Sequence, residues 1–231
     1  MTLKNFDKLE KNLGIKFLDK NLLQQAFVHR SCLNENPNFK IDHNERLEFL
    51  GDAVIELAVT RHLFNNYPNP EGELTSWRAA LVNSIMLAKI STYLGLNDYL
   101  MLSKGESQDV GRARQIILAN TFEAVVGAIY IDRGFETAEK FVEKNILCEL
   151  PRVLKERLYV DPKSYFQEKA QGERSITPKY ELLKEEGPDH NKLFVVGVYL
   201  DGKLVTKGKG HSKQEAQEDA ARKGLKKMDW E

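Results

Sequence analysis

The chain has 231 residues, and its 34 Lys and Arg balance 34 Asp and Glu, so bulk charge singles out no partner. An apolar content of 42% excludes wholesale disorder and provides for a buried core in one large or two smaller domains. Only Cys32 and Cys148 are present, far apart, which excludes a disulfide framework and a cysteine zinc site. Reduced thiols, and a start without the apolar run of a signal peptide, lead to the expectation of a cytoplasmic, non-membrane protein.

The first part of the chain has helical periodicity. Leu3, Phe6, Leu9 and Leu13, then Leu18, Leu22, Leu23, Ala26 and Phe27, recur at helical spacing. The capping residues at 42–44 predict the start of a long helix that stops before Pro68, with Leu47, Leu50, Val54, Leu57 and Ala58 forming its apolar face. The next helix is expected to run unbroken over 74–94 and to end at Gly95. Residues 115–131 are the most apolar stretch. With Glu123 in its middle, that stretch is expected to be a buried helix rather than a membrane span. A further helix is expected over 137–147.

After Pro151 the composition becomes charged and Pro-bounded, so 153–160 is expected to be a linker between domains at 1–152 and 161–231. The second domain predicts a helix at 163–171, strands at 179–184, 193–200 and 204–209, and a last helix at 213–228 capped by Ser212. Asp201-Gly202 is a strong two-residue hairpin signal. The fold class is therefore a mainly α N-terminal domain followed by a small α+β domain of order α-β-β-β-α.

Two acidic positions stand out. In the stretch NERLEFLGD, Glu45, Glu48 and Asp52 fall on one helical face. Glu123 lies in the most apolar segment, with Asn120 one turn before it, and a carboxylate buried there is costly unless paired or metal-bound. Gly51 and Gly127 each cost helix stability, which suggests that two helices approach closely at this point. If they do, Glu48, Asp52, Asn120 and Glu123 converge as hard oxygen ligands suited to Mg²⁺, with Mn²⁺ as a substitute. From spacing alone, an ion pair from Glu123 to Arg46, Arg112 or Arg114 is an equal alternative.

The eleven residues NERLEFLGDAV closely resemble the signature of bacterial ribonuclease III. His29-Arg30-Ser31, the run from Glu73 through Arg78 to Asn83, and residues 118–132 are similar to the same family, and the C-terminal part looks like a double-stranded-RNA-binding domain. The resemblance implies a Mg²⁺-dependent endonuclease that cuts double-stranded RNA, leaves 5′-phosphates and short 3′ overhangs, and serves rRNA and mRNA processing. It implies a homodimer with one acidic site per strand. Carried over, Asp52 and Glu123 are catalytic carboxylates, and Glu48, Asn120 and Glu123 are the metal set. Glu45 lies near that site, and Phe49 packs across the dimer interface; without the family, Phe49 reads as an ordinary core aromatic. Where the family has an aspartate, this chain has Asn120, which offers a carbonyl oxygen without charge. That departure keeps a second expectation open, a duplex-RNA-binding protein that cleaves weakly or not at all.

The lysines between Lys203 and Lys213, with the pattern GKGHSKQEAQEDAA, resemble the third RNA-contact region of such domains. The resemblance places Lys213 on phosphates at a helix start, and Gln167, Glu168 and His190 on minor grooves and 2′-hydroxyls. Gln214 and Gln217 stand where lysine or arginine is common, which predicts a weaker and less salt-sensitive grip. Residues 197–204 mimic a phosphate-binding loop but lack its final Ser or Thr and lie across a hairpin, so no nucleotide cofactor is expected.

Overall fold

The structure is a computed structural model and describes residues 5–188 and 192–230. The chain divides between Tyr159 and Val160 into a helical unit and an α+β unit.

The helical unit begins with three short helices, α1 (Phe6–Leu13), α2 (Lys20–Gln25) and α3 (Arg30–Glu35). Two 22-residue helices, α4 (Glu45–Asn66) and α8 (Arg112–Arg133), form its centre. Around them lie α5 (Glu71–Val82), α6 (Ser84–Tyr93), α7 (Lys104–Gln108), α9 (Phe135–Asn145) and α10 (Leu150–Lys155). Among the described residues α8 is the one helix long and apolar enough to cross a membrane, but most of it is buried inside this unit. Phe122, Val125, Val126 and Ile129 are all fully buried there. Helix α4 ends at Asn66, two residues before Pro68, which cannot supply the next helical N–H.

Two expectations are corrected. The helix expected over 74–94 is two helices, broken at Asn83, whose backbone is extended (φ −69°, ψ 158°). The Asn83 side chain accepts from Met86 N at 2.9 Å and donates to Ala80 O at 2.9 Å, so it caps α6 instead of continuing α5. Asparagine competes with the backbone in this way because its short amide reaches nearby N–H and C=O groups. The linker expected at 153–160 is largely part of the helical unit. Pro151 opens α10, where its missing N–H costs nothing. Val153 is fully buried, and Leu154 and Tyr159 pack against the core. The Tyr159 ring meets Trp77 edge-on at 6.0 Å, and Trp77 meets Tyr67 at 5.4 Å.

The α+β unit opens with α11 (Pro162–Arg174), whose first turn is capped by Asp161 accepting from Ser164 N at 2.7 Å. Strands β1 (Lys179–Glu186), β2 (Leu193–Leu200) and β3 (Lys203–Gly210) form an antiparallel sheet in that order, and α12 (Lys213–Met228) packs on it. Asp201 and Gly202 both have positive φ, 47° and 71°, the backbone that a tight hairpin between twisted strands needs. Phe166, Ala170, Val198, Leu200, Ala220, Ala221 and Leu225 form the core. Gly208 lets α12 lie directly on β3, since a Cβ there would sit 2.2 Å from the Ala216 oxygen.

Candidate functional site

Helices α4 and α8 cross backbone to backbone. A Cβ on Gly51 would lie 1.8 Å from the Glu123 oxygen, and one on Gly127 would lie 2.2 Å from the Leu47 oxygen. No side chain fits at either contact, so the paired glycines fix where the helices touch. The crossing brings Glu48 and Asp52 of α4 beside Asn120 and Glu123 of α8.

The electrostatics record this convergence. Burial pushes Glu123 up to about 7, and the neighbouring charges of Asp52 and then Glu48 add to it. Burial also raises Glu48; the nearby Asn120 amide opposes that rise, while Glu45 and Asp52 reinforce it. The arginine alternative finds no support. Arg114 donates instead to the carbonyls of Asp109 at 3.0 Å, Glu106 at 2.9 Å and Ser107 at 3.0 Å. Among the described residues, Glu48, Asp52 and Glu123 have no ion-pair partner, and Arg46 and Arg112 pair with none of them. Glu45 sits apart, on the α3 side: Arg30 Nη1 lies 3.4 Å from one of its oxygens and His43 Nδ1 lies 3.8 Å from the other. The sequence reading missed that pairing, although His29-Arg30-Ser31 had marked the segment.

Three carboxylates and one amide oxygen, with no cation among the described residues to offset them, suit a hard divalent ion in donor type and in charge. The side chains are neighbours that repel rather than a closed ligand set. Among the described residues, no group of three or more His, Cys, Asp or Glu side chains is drawn together closely enough to hold a metal ion. Glu48, Asp52, Asn120 and Glu123 are the residues that could hold one, by turning inward around it.

Phe49, the neighbour of Glu48, points away from the core and is 81% exposed. Phe64, 77% exposed, continues the same stripe along α4, and so does Leu57, 56% exposed, which departs from the expected apolar face with buried Leu47, Val54 and Ala58. The core-aromatic alternative for Phe49 is thus excluded within this chain.

In the α+β unit, Gln167 and Glu168 line an open cleft on α11 with Ser164, Gln171 and Gly172. Lys213 stands exposed at the start of α12, where Ser212 Oγ accepts from Glu215 N at 3.1 Å. Its ammonium lies 3.6 Å from Glu185, an acid that the sequence reading did not weigh. His190 lies outside the described residues.

Comparison with known proteins agrees along the chain. Residues 19–150 match the ribonuclease-III-like family model, and residues 162–228 match the double-stranded RNA binding motif. A curated relative from Staphylococcus aureus, ribonuclease 3, is 42% identical over 228 residues, covering 97% of this chain and 93% of the relative. A solved structure of the nuclease domain of ribonuclease III from Campylobacter jejuni, concerned with flexibility in a region involved in dimer formation, is 42% identical with a TM-score of 0.55. It covers 62% of this chain and 99% of that one. A second structure of that nuclease domain gives 42% identity and a TM-score of 0.54, covering 62% of this chain and 97% of that one.

Proposed function

From the premise that the chain belongs to the ribonuclease III family and is an endoribonuclease with a double-stranded-RNA-binding domain, we propose that it hydrolyses duplex RNA with Mg²⁺ at Glu48, Asp52, Asn120 and Glu123. The observation that carries this reading is the glycine-to-backbone crossing of α4 and α8, which collects mutually repelling carboxylates without a protein cation. A divalent ion held there would neutralise the anionic phosphodiester, activate water and stabilise the leaving oxygen. The chain's own residues set the conditions for this. Glu48, Asp52 and Glu123 supply charged oxygens, and Asn120 supplies a neutral one. Glu123, whose carboxyl burial raises to about 7, would release its proton on ligating an ion. Glu48 and Glu123 are half-buried, which would limit the water competing for an ion there.

Phe49, Leu57 and Phe64 form an apolar stripe next to this site, which supports a homodimer in which each protomer cuts one strand. Products with 5′-phosphates and short 3′ overhangs, a role in rRNA and mRNA processing, and a cytoplasmic location complete the reading. The α+β unit holds the duplex through α11 and the start of α12, recognising A-form shape and 2′-hydroxyls.

A second reading, duplex binding with weak cleavage, is favoured by one observation, the uncharged Asn120 beside Glu48. Long duplex RNA incubated with Mg²⁺, with Mn²⁺ and with chelator separates the two. Metal-dependent shortening supports the nuclease. Retention of full-length RNA on the protein under every condition supports the second reading.

A further inference from the structure

Gln214 and Gln217 of the last helix stand where the family resemblance expects lysine or arginine. The two glutamines have different surroundings. Gln214 Nε2 donates along its own helix to Glu218 at 2.9 Å. Gln217 instead reaches α11, where its Oε1 accepts a hydrogen bond from Lys163 Nζ at 2.6 Å. The same ammonium lies 5.4 Å from the centre of the Tyr180 ring. Tyr180 is held neutral, since burial and then the nearby Asp161 push its hydroxyl up to about 12.

Lys163 differs from Lys213 and Lys223. Lys213 lies 3.6 Å from Glu185, which also has Lys192 at 3.6 Å, so part of its charge is already offset. Lys223 pairs with Asp219 at 2.6 Å. Lys163 makes no ion pair among the described residues; its partners are an amide oxygen and an aromatic face, which orient a cation without neutralising it. Two ammonium hydrogens remain for another acceptor. Lys163 also stands in the first turn of α11, where a cation works against the helix dipole. It lies one turn before Gln167, which lines the cleft.

We propose that Lys163 is a phosphate contact of the duplex-binding face, supplying from α11 the charge that α12 lacks at Gln217. The inference rests on the duplex-RNA reading above and adds a residue to it. Its half-buried stem and fixed head lose little side-chain freedom when a phosphate arrives. The contact would be a charge-assisted hydrogen bond, indifferent to base sequence. It also revises the sequence expectation of a less salt-sensitive grip, because a charge missing from one helix is restored from the other.

The test is binding of the full chain, in chelator, to an RNA duplex long enough to span two minor grooves, across a salt series. Lys163→Gln is expected to weaken binding roughly threefold to tenfold and to reduce the log–log salt slope by about one. Lys163→Arg should bind like the unchanged protein. Gln217→Lys should restore affinity in the Lys163→Gln background and add less when Lys163 is present, where two ammonium groups would crowd. Unchanged affinity and slope for Lys163→Gln overturns the inference. A loss of affinity with an unchanged slope also overturns it, since that is the mark of a packing role. Lys213→Glu separates the two levels. If it weakens binding while Lys163→Gln does not, only this inference falls. If neither substitution matters, the duplex reading of this face falls with it.

Discussion

The backbone oxygen of Glu123 lies where a side chain on Gly51 would have to be, 1.8 Å from the position of its Cβ. The residue that bears the most perturbed carboxyl of the cluster thus also makes the helix contact that positions it. The cluster and the crossing cannot be separated: moving α4 away from α8 carries Glu48 and Asp52 away from Asn120 and Glu123.

Gly51→Ala is therefore expected to force the helices apart. Overpacking of a well-packed interior costs about 1–3 kcal/mol, and contact with rigid backbone puts this site at the upper end. Denaturant midpoints would register the loss, and cleavage should fall further than the folded fraction accounts for. An alanine variant with unchanged midpoint and activity would contradict the geometry.

Glu123 makes stability depend on pH. Its folded pKa is raised, from 4.5 to about 7, so between those values the folded chain keeps a proton that the unfolded chain has released. Stability then falls as pH rises through this window, the loss being complete above about 7 and absent below about 4.5. In chelator, the melting temperature should be lower at pH 8 than at pH 5 by an amount that Glu123→Gln reduces. Mg²⁺ should restore stability at pH 8 in the unchanged chain but less in the variant, because a cation stabilises the charged carboxylate. Glu123→Gln should also abolish cleavage while duplex RNA still binds. Melting curves whose pH dependence is the same in both proteins would refute the assignment.

Asn120→Asp adds a charge beside Glu48 and Glu123. For a hard cation, affinity depends partly on the charge of the ligands, so the variant should reach half-maximal cleavage at lower Mg²⁺. Mn²⁺, which binds such sites somewhat more tightly, should raise the activity of the unchanged chain more than that of the variant. Without metal, the variant should be less stable, from one more repulsion. Superimposable Mg²⁺ titrations would remove Asn120 from the metal set.

Phe49→Glu places a charge in the exposed apolar stripe of α4. Phe49 is 81% exposed, so the fold should tolerate the change, and helical content and the melting temperature measured in dilute solution should alter little. Sedimentation should show a monomer for the variant and, on the proposed homodimer, a dimer for the unchanged chain. A dimer that persists in the variant would place the interface elsewhere.

Much of the architecture was legible in the residues. The periodicity of α4, α8 and α12, the cap at Ser212 and the Asp201-Gly202 turn are local, set by apolar spacing and by which side chains tolerate a given backbone angle. The acid in the apolar helix and the two helix glycines could be read for the same reason, as each breaks a local rule. The misreadings arose where a local signal had a distant answer. Asn83 sits in a continuous apolar pattern, and its amide found the backbone of two helices to cap and close. Pro151 read as a linker boundary because sequence does not reveal that Val153 and Tyr159 have a core to bury against.

Only the tertiary structure decided which groups the charged residues meet. The sequence placed Glu123 in an apolar helix but left an arginine and a metal ion as equal partners; the fold sent Arg114 to backbone carbonyls and surrounded Glu123 with like charge. The family resemblance marked Gln217 as a position where lysine or arginine is common; the fold set the Lys163 ammonium 2.6 Å from its Oε1. Local pattern governs helices and turns because their hydrogen bonds close within a few residues. Charge acts through space, so its partners are set by which helices pack together, and here the Gly51–Gly127 contact decides that for the acidic cluster.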